Sequence, residues 1–217
     1  MSSFDEKSYI KNLQVYNDET RKLFNNKNKI KRERLVVKAF LRTLGISFDD
    51  IDLTAPTEEP VDVKYRTAHF QIRELLKKER KRGDELKHEY NKYNNVTSID
   101  ELLEPYSPSK PVSLAQLASF EIPNSLSKKA SEYPKKYPRG CQDIDALVYV
   151  NIDDKYLSNF QLSEEDVKSL KYQNWRSVSI LFPPYGVVLI AEAEAPDFLN
   201  IVKWQPQNRW DPDTLFE

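Results

Sequence analysis

The chain has 217 residues, 31% of them charged and 39% hydrophobic, and a net charge of −1, which suits one moderate domain, residues 1–217, with a sizeable core. An aromatic content of 12% argues against wholesale disorder, and no apolar run approaches the ~18 residues of a membrane span, so no membrane partner is expected. The segment MSSFDEKSYIKNLQ lacks the apolar core of a signal peptide, and Cys141, the one cysteine, excludes an internal disulfide or a cysteine-built zinc site, so a reducing, cytoplasmic setting is expected.

Residues 4–27 read as a helix. Tyr9, Leu13, Tyr16, Thr20, Leu23 and Phe24 recur at three- and four-residue steps on one face, and Ser3 with Glu6 makes a capping-box pattern. A second helix is predicted over 29–44, with Leu35, Val36, Ala39, Phe40 and Thr43 as its apolar stripe and Gly45 at the C-cap position. The connector 46–60 is polar and carries Pro56 and Pro60. Two extended segments follow, 61–65 and 67–75. In the second, Ala68, Phe70 and Ile72 point one way, and Thr67, His69, Gln71 and Arg73 the other.

A long basic helix is expected over 75–94, so that 61–94 holds two strands and a basic helix. Residues 95–140 are rich in proline and serine and read as a loop-rich insertion, with short helices at 99–103 and 114–120 capped by Ser98 and Ser113. The rest, 141–217, returns to strands. Residues 146–152 form a near-continuous apolar run, as in a strand covered on both faces. Strands 178–182 and 187–193 flank the turn Pro183-Pro184-Tyr185-Gly186, helices are predicted over 164–170 and 196–202, and a Trp-rich tail follows. This order predicts an α/β fold with a mixed β-sheet flanked by helices.

Several chemistries are excluded. The chain lacks GxGxxG and GxxxxGK[ST] and has four glycines, too few for a glycine-rich phosphate cradle. It also lacks GxSxG and HExxH. A lone cysteine such as Cys141 is more often inert than nucleophilic.

The informative stretch is residues 60–90. Asp62 opens one strand; nine residues on, Gln71 and then Arg73 project from one face of the next; a basic run follows. Metal-dependent phosphodiester cleavage needs such a set. Oxygen ligands hold a hard Mg²⁺ or Mn²⁺ ion, the metal activates water, and a cation supports charge on the scissile phosphate.

The spacing Asp62–x8–Gln71–x–Arg73 resembles the PD-(D/E)XK nuclease motif. Further stretches are similar to one bacterial family of proposed endonucleases of unknown function, over about residues 5–200: Arg32 to Arg42, Asp62-Val63, His69 to Ile72, Asp145 to Asn151, Trp175 to Ser179, and Pro183 to Tyr185. The resemblance implies a restriction-endonuclease-like sheet and a Mg²⁺ or Mn²⁺ site. It makes Asp62 the first ligand, puts Gln71 at the second ligand position and Arg73 at the lysine position, and lets Glu33 supply an additional acid. The chain departs from the motif twice. Gln71 is neutral where an acid is usual, and Arg73 stays protonated, so it can fork onto a phosphate but not act as a base.

Residues 1–140 hold 27 Lys and Arg against 21 Asp and Glu, so the front part could attract phosphate. The basic runs at 21–38 and 73–92 nominate Lys31, Arg34, Arg80, Lys81, Arg82, Lys87 and His88 as contacts to a DNA or RNA backbone, unless these are simply solvated faces. His69 shares the Gln71 face, where it is either a proton shuttle or a satisfied surface histidine. Trp175 and Tyr185 are read as packing aromatics. The alternative to a nuclease is an inactive protein of the same fold that binds nucleic acid as a scaffold, or that binds a second copy or a protein partner through the loop-rich region.

Overall fold

The computed structural model describes residues 5–23, 26–57, 59–76, 90–102, 108–152 and 155–201. The chain divides into two compact units, residues 1–32 with 77–108 and residues 33–76 with 109–217.

The described part of the first unit holds α1 (Glu6–Leu23), the first turn of α2 (Lys29–Thr43) and helical residues 90–95 (α3). The face expected of α1 is not the buried one: Tyr9 and Tyr16 are exposed and Leu13 is half-buried, whereas Ile10, off that face, is buried. Gln14 Nε2 donates to the Tyr93 carbonyl at 3.2 Å, and the Ile99 N–H donates to Glu6 Oε1 at 2.8 Å. The expected helix 75–94 differs at its start, because its first two residues belong to a strand that runs to Leu76. Most of its remainder lies outside the described residues, as does the tail from 202.

Among its described residues the second unit has eight strands: β1 (Leu53–Thr54), β2 (Val63–Tyr65), β3 (Ala68–Leu76), β4 (Lys110–Ser113), β5 (Asp145–Asn151), β6 (Lys155–Asn159), β7 (Ser177–Phe182) and β8 (Tyr185–Ala191). Six make one mixed sheet in the order β1-β2-β3-β5-β7-β8, while β4 and β6 form a separate parallel pair. β3, β5 and β7 are parallel; β1 and β2 at one end and β8 at the other are antiparallel. The predicted mixed sheet flanked by helices is what the structure shows. The central strands read as continuous apolar runs because both faces are covered. Ala146, Val148, Val178 and Ile180 pack in one layer with Leu114 of α4 (Leu114–Gln116), Leu126 of α5 (Ile122–Lys136) and Leu170 of α6 (Glu164–Lys171). Leu147 and Leu181 pack in the other, with Val37, Phe40 and Leu41 of α2 and Leu199 of α7 (Asp197–Ile201). There Phe40 meets Phe70 edge to face at 6.1 Å.

The segment expected to be loop-rich is the main correction. Helical backbone runs from Leu114 to Lys136 through a π turn at Leu117–Glu121. Ile122, Leu126, Ala130, Tyr133 and Tyr137 recur at three- and four-residue steps and pack on the sheet. Two prolines hid this stripe. Pro123 follows directly on the π turn, and Pro134 lies inside the last turn, where it forgoes one backbone hydrogen bond.

Candidate active site

β2 and β3 pair antiparallel with Val63 opposite Phe70 and Lys64 opposite His69. The Asp62 N–H extends the ladder to the Phe70 carbonyl at 2.8 Å, which sets Asp62 against Gln71. Val63 and Phe70 face the α2 layer, so Gln71 and Arg73 share the opposite face, under α5. There the predicted pair meets. Gln71 Nε2 donates to Asp62 Oδ2, which also accepts the Ile72 N–H at 2.9 Å. Gln71 Oε1 in turn accepts from the hydroxyl of Tyr133 on α5. Gln71 is buried, and Asp62 and Arg73 are half-buried.

Tyr133 completes the chain Asp62–Gln71–Tyr133, yet it was missed in the sequence because its segment read as loop. The stripe it shares with Leu126 and Ala130 is the signal that could have found it. Its ring meets Trp175 at 5.9 Å and Tyr137 at 5.4 Å, both edge to face, with Lys129 Nζ 5.2 Å from the ring centroid. Burial raises its phenol well above the usual tyrosine range, assisted by the negative charge of Asp62, so the group remains a donor at neutral pH.

The donor set can be tested against the implied Mg²⁺ or Mn²⁺ ion. Among the described residues, no three His, Cys, Asp or Glu side chains gather to hold a metal. What the site offers is one carboxylate, Asp62, and, with the Gln71 carboxamide turned so that its oxygen rather than its N–H meets Asp62, that carbonyl oxygen. Mg²⁺ suits such a set, since it keeps several waters and takes one or two protein oxygens plus substrate phosphate. Arg73 Nε is buried with no hydrogen-bond partner, a donor matched to a phosphate oxygen. The residues therefore fit a loosely held ion with an anion beside it.

The other predicted residues fall elsewhere. Glu33 is half-buried on α2, the helix covering the opposite face from Gln71 and Arg73. Arg34, on the same helix, donates to the Asp50 carbonyl at 2.8 Å, and Lys31 is exposed. Arg80, Lys81, Arg82, Lys87 and His88 lie outside the described residues.

A second cluster anchors the start of β3. Asp145 is fully buried at the head of β5. It accepts from Arg176 Nε at 3.1 Å and from Arg176 Nη2, from Ser177 Oγ at 2.8 Å, and from the His69 N–H at 2.8 Å. Arg176 Nη2 also donates to the Thr67 carbonyl at 3.0 Å. The first residues of β3 are thus tied to the heads of β5 and β7, two positions before Gln71. The sequence signal was an acid opening an apolar strand. His69 lies beside this cluster; burial, then Arg176 and Lys64, lower its pKa, so it is neutral near pH 7. Burial pushes the Cys141 thiol up to about 11, in keeping with an inert cysteine. Trp175 is buried and Tyr185 packs on Phe160 at 4.8 Å, as packing aromatics should.

Comparison with known proteins bears on this geometry at two levels. The model of the family described as "Putative endonuclease, protein of unknown function (DUF1780)" matches residues 5–206. A solved structure from Pseudomonas aeruginosa strain PAO1 shares the fold with a TM-score of 0.62 and 24% identity, over 91% of this chain and 92% of that one. Its title calls it a protein of unknown function of the monooxygenase superfamily. No curated protein matches the chain.

Proposed function

The chain belongs to the DUF1780 family, and from that membership we propose that it is a metal-dependent endonuclease of the PD-(D/E)XK type, acting on the phosphodiester backbone of nucleic acid. The observation that carries the reading is the bonded pair Asp62–Gln71 on the face that also bears Arg73, with its unpartnered Nε. Asp62 and the Gln71 carbonyl would hold Mg²⁺ or Mn²⁺. When bound, such an ion supplies an activated water and neutralises charge on the phosphate. Asp62 brings the one negative charge of the pair, and the Ile72 N–H fixes the direction of its carboxylate. Arg73 forks onto a non-bridging phosphate oxygen and supports developing charge, and being always protonated it removes no proton from water.

The test is cleavage of supercoiled plasmid and of single-stranded DNA and RNA with Mg²⁺ or Mn²⁺. Asp62→Ala is expected to abolish cleavage, and activity that survives this substitution refutes the site. One observation favours a second reading, a non-hydrolytic scaffold: the Gln71 amide is engaged at both ends, by Asp62 and by Tyr133. That reading expects salt-sensitive binding, independent of metal and without cleavage.

A further inference from the structure

We propose that Tyr133 is a positioning residue that latches Gln71 in the orientation that does not ligate a cation. The inference rests on the reading of Asp62 and Gln71 as cation ligands, and it concerns how that site is regulated. The two ends of the Gln71 carboxamide differ in chemistry. Its N–H faces Asp62 and its oxygen faces the Tyr133 hydroxyl. An N–H cannot ligate a metal, so in this orientation the amide proton occupies the place on Asp62 that a cation would take.

Turning the carboxamide by half a revolution reverses both ends. The oxygen then joins Asp62, and the Gln71 N–H meets the Tyr133 oxygen. The phenol proton, however, loses its acceptor. Tyr133 is 2% exposed and Gln71 is its hydrogen-bond acceptor among the described residues. A buried hydroxyl without an acceptor is costly. Tyr133 therefore biases the amide toward the latched orientation, and only a ligand that binds the turned state better can shift it. A cation brought with a substrate phosphate is such a ligand, so the latch would keep the centre closed until substrate arrives.

The latch makes predictions opposite to those of a plain structural tyrosine. Phe at position 133 keeps the ring contacts with Trp175 and Tyr137 and deletes the hydroxyl's share of the bias, leaving that of the Gln71–Asp62 bond. Tyr133→Phe is expected to tighten Mn²⁺ binding about tenfold, equivalent to ~1.4 kcal/mol and within the range of one buried hydrogen bond. Gln71→Glu puts an oxygen on both branches, so one can take the phenol proton while the other faces Asp62. It is expected to tighten Mn²⁺ more than Tyr133→Phe does, and the double variant should bind no tighter than Gln71→Glu alone.

The readout is Mn²⁺ titration of the full chain by electron paramagnetic resonance, with melting curves to confirm folding and Asp62→Ala in each background. Tightening in Tyr133→Phe that vanishes with Asp62→Ala, and is absent in the Gln71→Glu background, supports the latch. Asp62-dependent binding that is unchanged or weaker in Tyr133→Phe overturns the latch and leaves the metal site standing. Binding that ignores Asp62→Ala in every variant, or no binding in any, overturns the metal reading and the latch with it.

Discussion

Replacing Arg176 by Met tests the anchor beneath the site. The side chain of Asp145 is 0% exposed and that of Arg176 is 11% exposed, so the pair is an ion pair within the protein rather than on its surface. Arg176→Met keeps an apolar stem and removes both guanidinium bonds to Asp145 and the one to the Thr67 carbonyl, leaving the carboxylate with Ser177 Oγ and the His69 N–H. Breaking one side of a buried pair costs about 3–5 kcal/mol, far above the ~1 kcal/mol ceiling of surface pairs. At about 2–4 °C per kcal/mol for a chain of this size, the melting temperature should fall by about 6–20 °C. The stranded charge is the reason, so removing it should help. Asp145→Asn combined with Arg176→Met keeps an oxygen for the His69 N–H and turns its Nδ2 toward Ser177 Oγ, which can accept instead of donate, and it should recover about 2 kcal/mol over Arg176→Met alone. Urea denaturation gives both numbers, provided the slope with denaturant is unchanged. A loss under about 1 kcal/mol for Arg176→Met, or a double variant no more stable than the single, refutes the reasoning.

Two further predictions concern neighbouring residues. The His69 pKa is lowered in the folded protein, so below the ordinary histidine value of 6.5 the unfolded chain takes up a proton that the folded one resists. Stability from His69 is therefore complete above pH 6.5 and lost as pH falls below it, and His69→Gln should flatten that slope in urea titrations; an unaltered slope counts against the assignment. In the second case, a Cβ at Gly186 would overlap Thr43 Oγ1 and lie 3.2 Å from Phe40 Cδ2, and the Thr43 hydroxyl is held by the Phe40 carbonyl at 2.6 Å. Gly186→Ala should cost about 1–3 kcal/mol in thermal denaturation, and less in a Thr43→Ala background; equal losses in both would show that the overlap is not the cause.

How much of this was legible in the sequence depended on where each residue's partners lie. β3, β5 and β7 could be read because their signal is local: alternation in β3, apolar runs in the two strands covered on both faces. β4 and β6 are four and five residues long and exist through their pairing with each other, about 45 positions apart, which no local pattern records. Helix α5 was obscured by the opposite cause, a strong local signal with a different meaning. Pro123 and Pro134 read as breakers, yet the helical backbone continues past both, and the apolar stripe between them was intact.

The same division explains the candidate site. The spacing of Asp62 and Gln71 could be read because a tight β2–β3 hairpin makes sequence distance a spatial one. Tyr133 could not, since it reaches Gln71 across 62 positions. Glu33 shows the limit of transferring a motif: a helical acid can be matched to a pattern by residue type, but the face of the sheet its helix covers is fixed by Val37, Phe40 and Leu41. That apolar stripe turns α2 toward Phe70 and so onto the side opposite Gln71 and Arg73. Packing of the helix, rather than the acid it carries, decides which layer Glu33 belongs to. Under the proposed reading Asp62 and Gln71 alone would supply the oxygens on their own face, and the orientation of one carboxamide would be the variable that opens or closes the site.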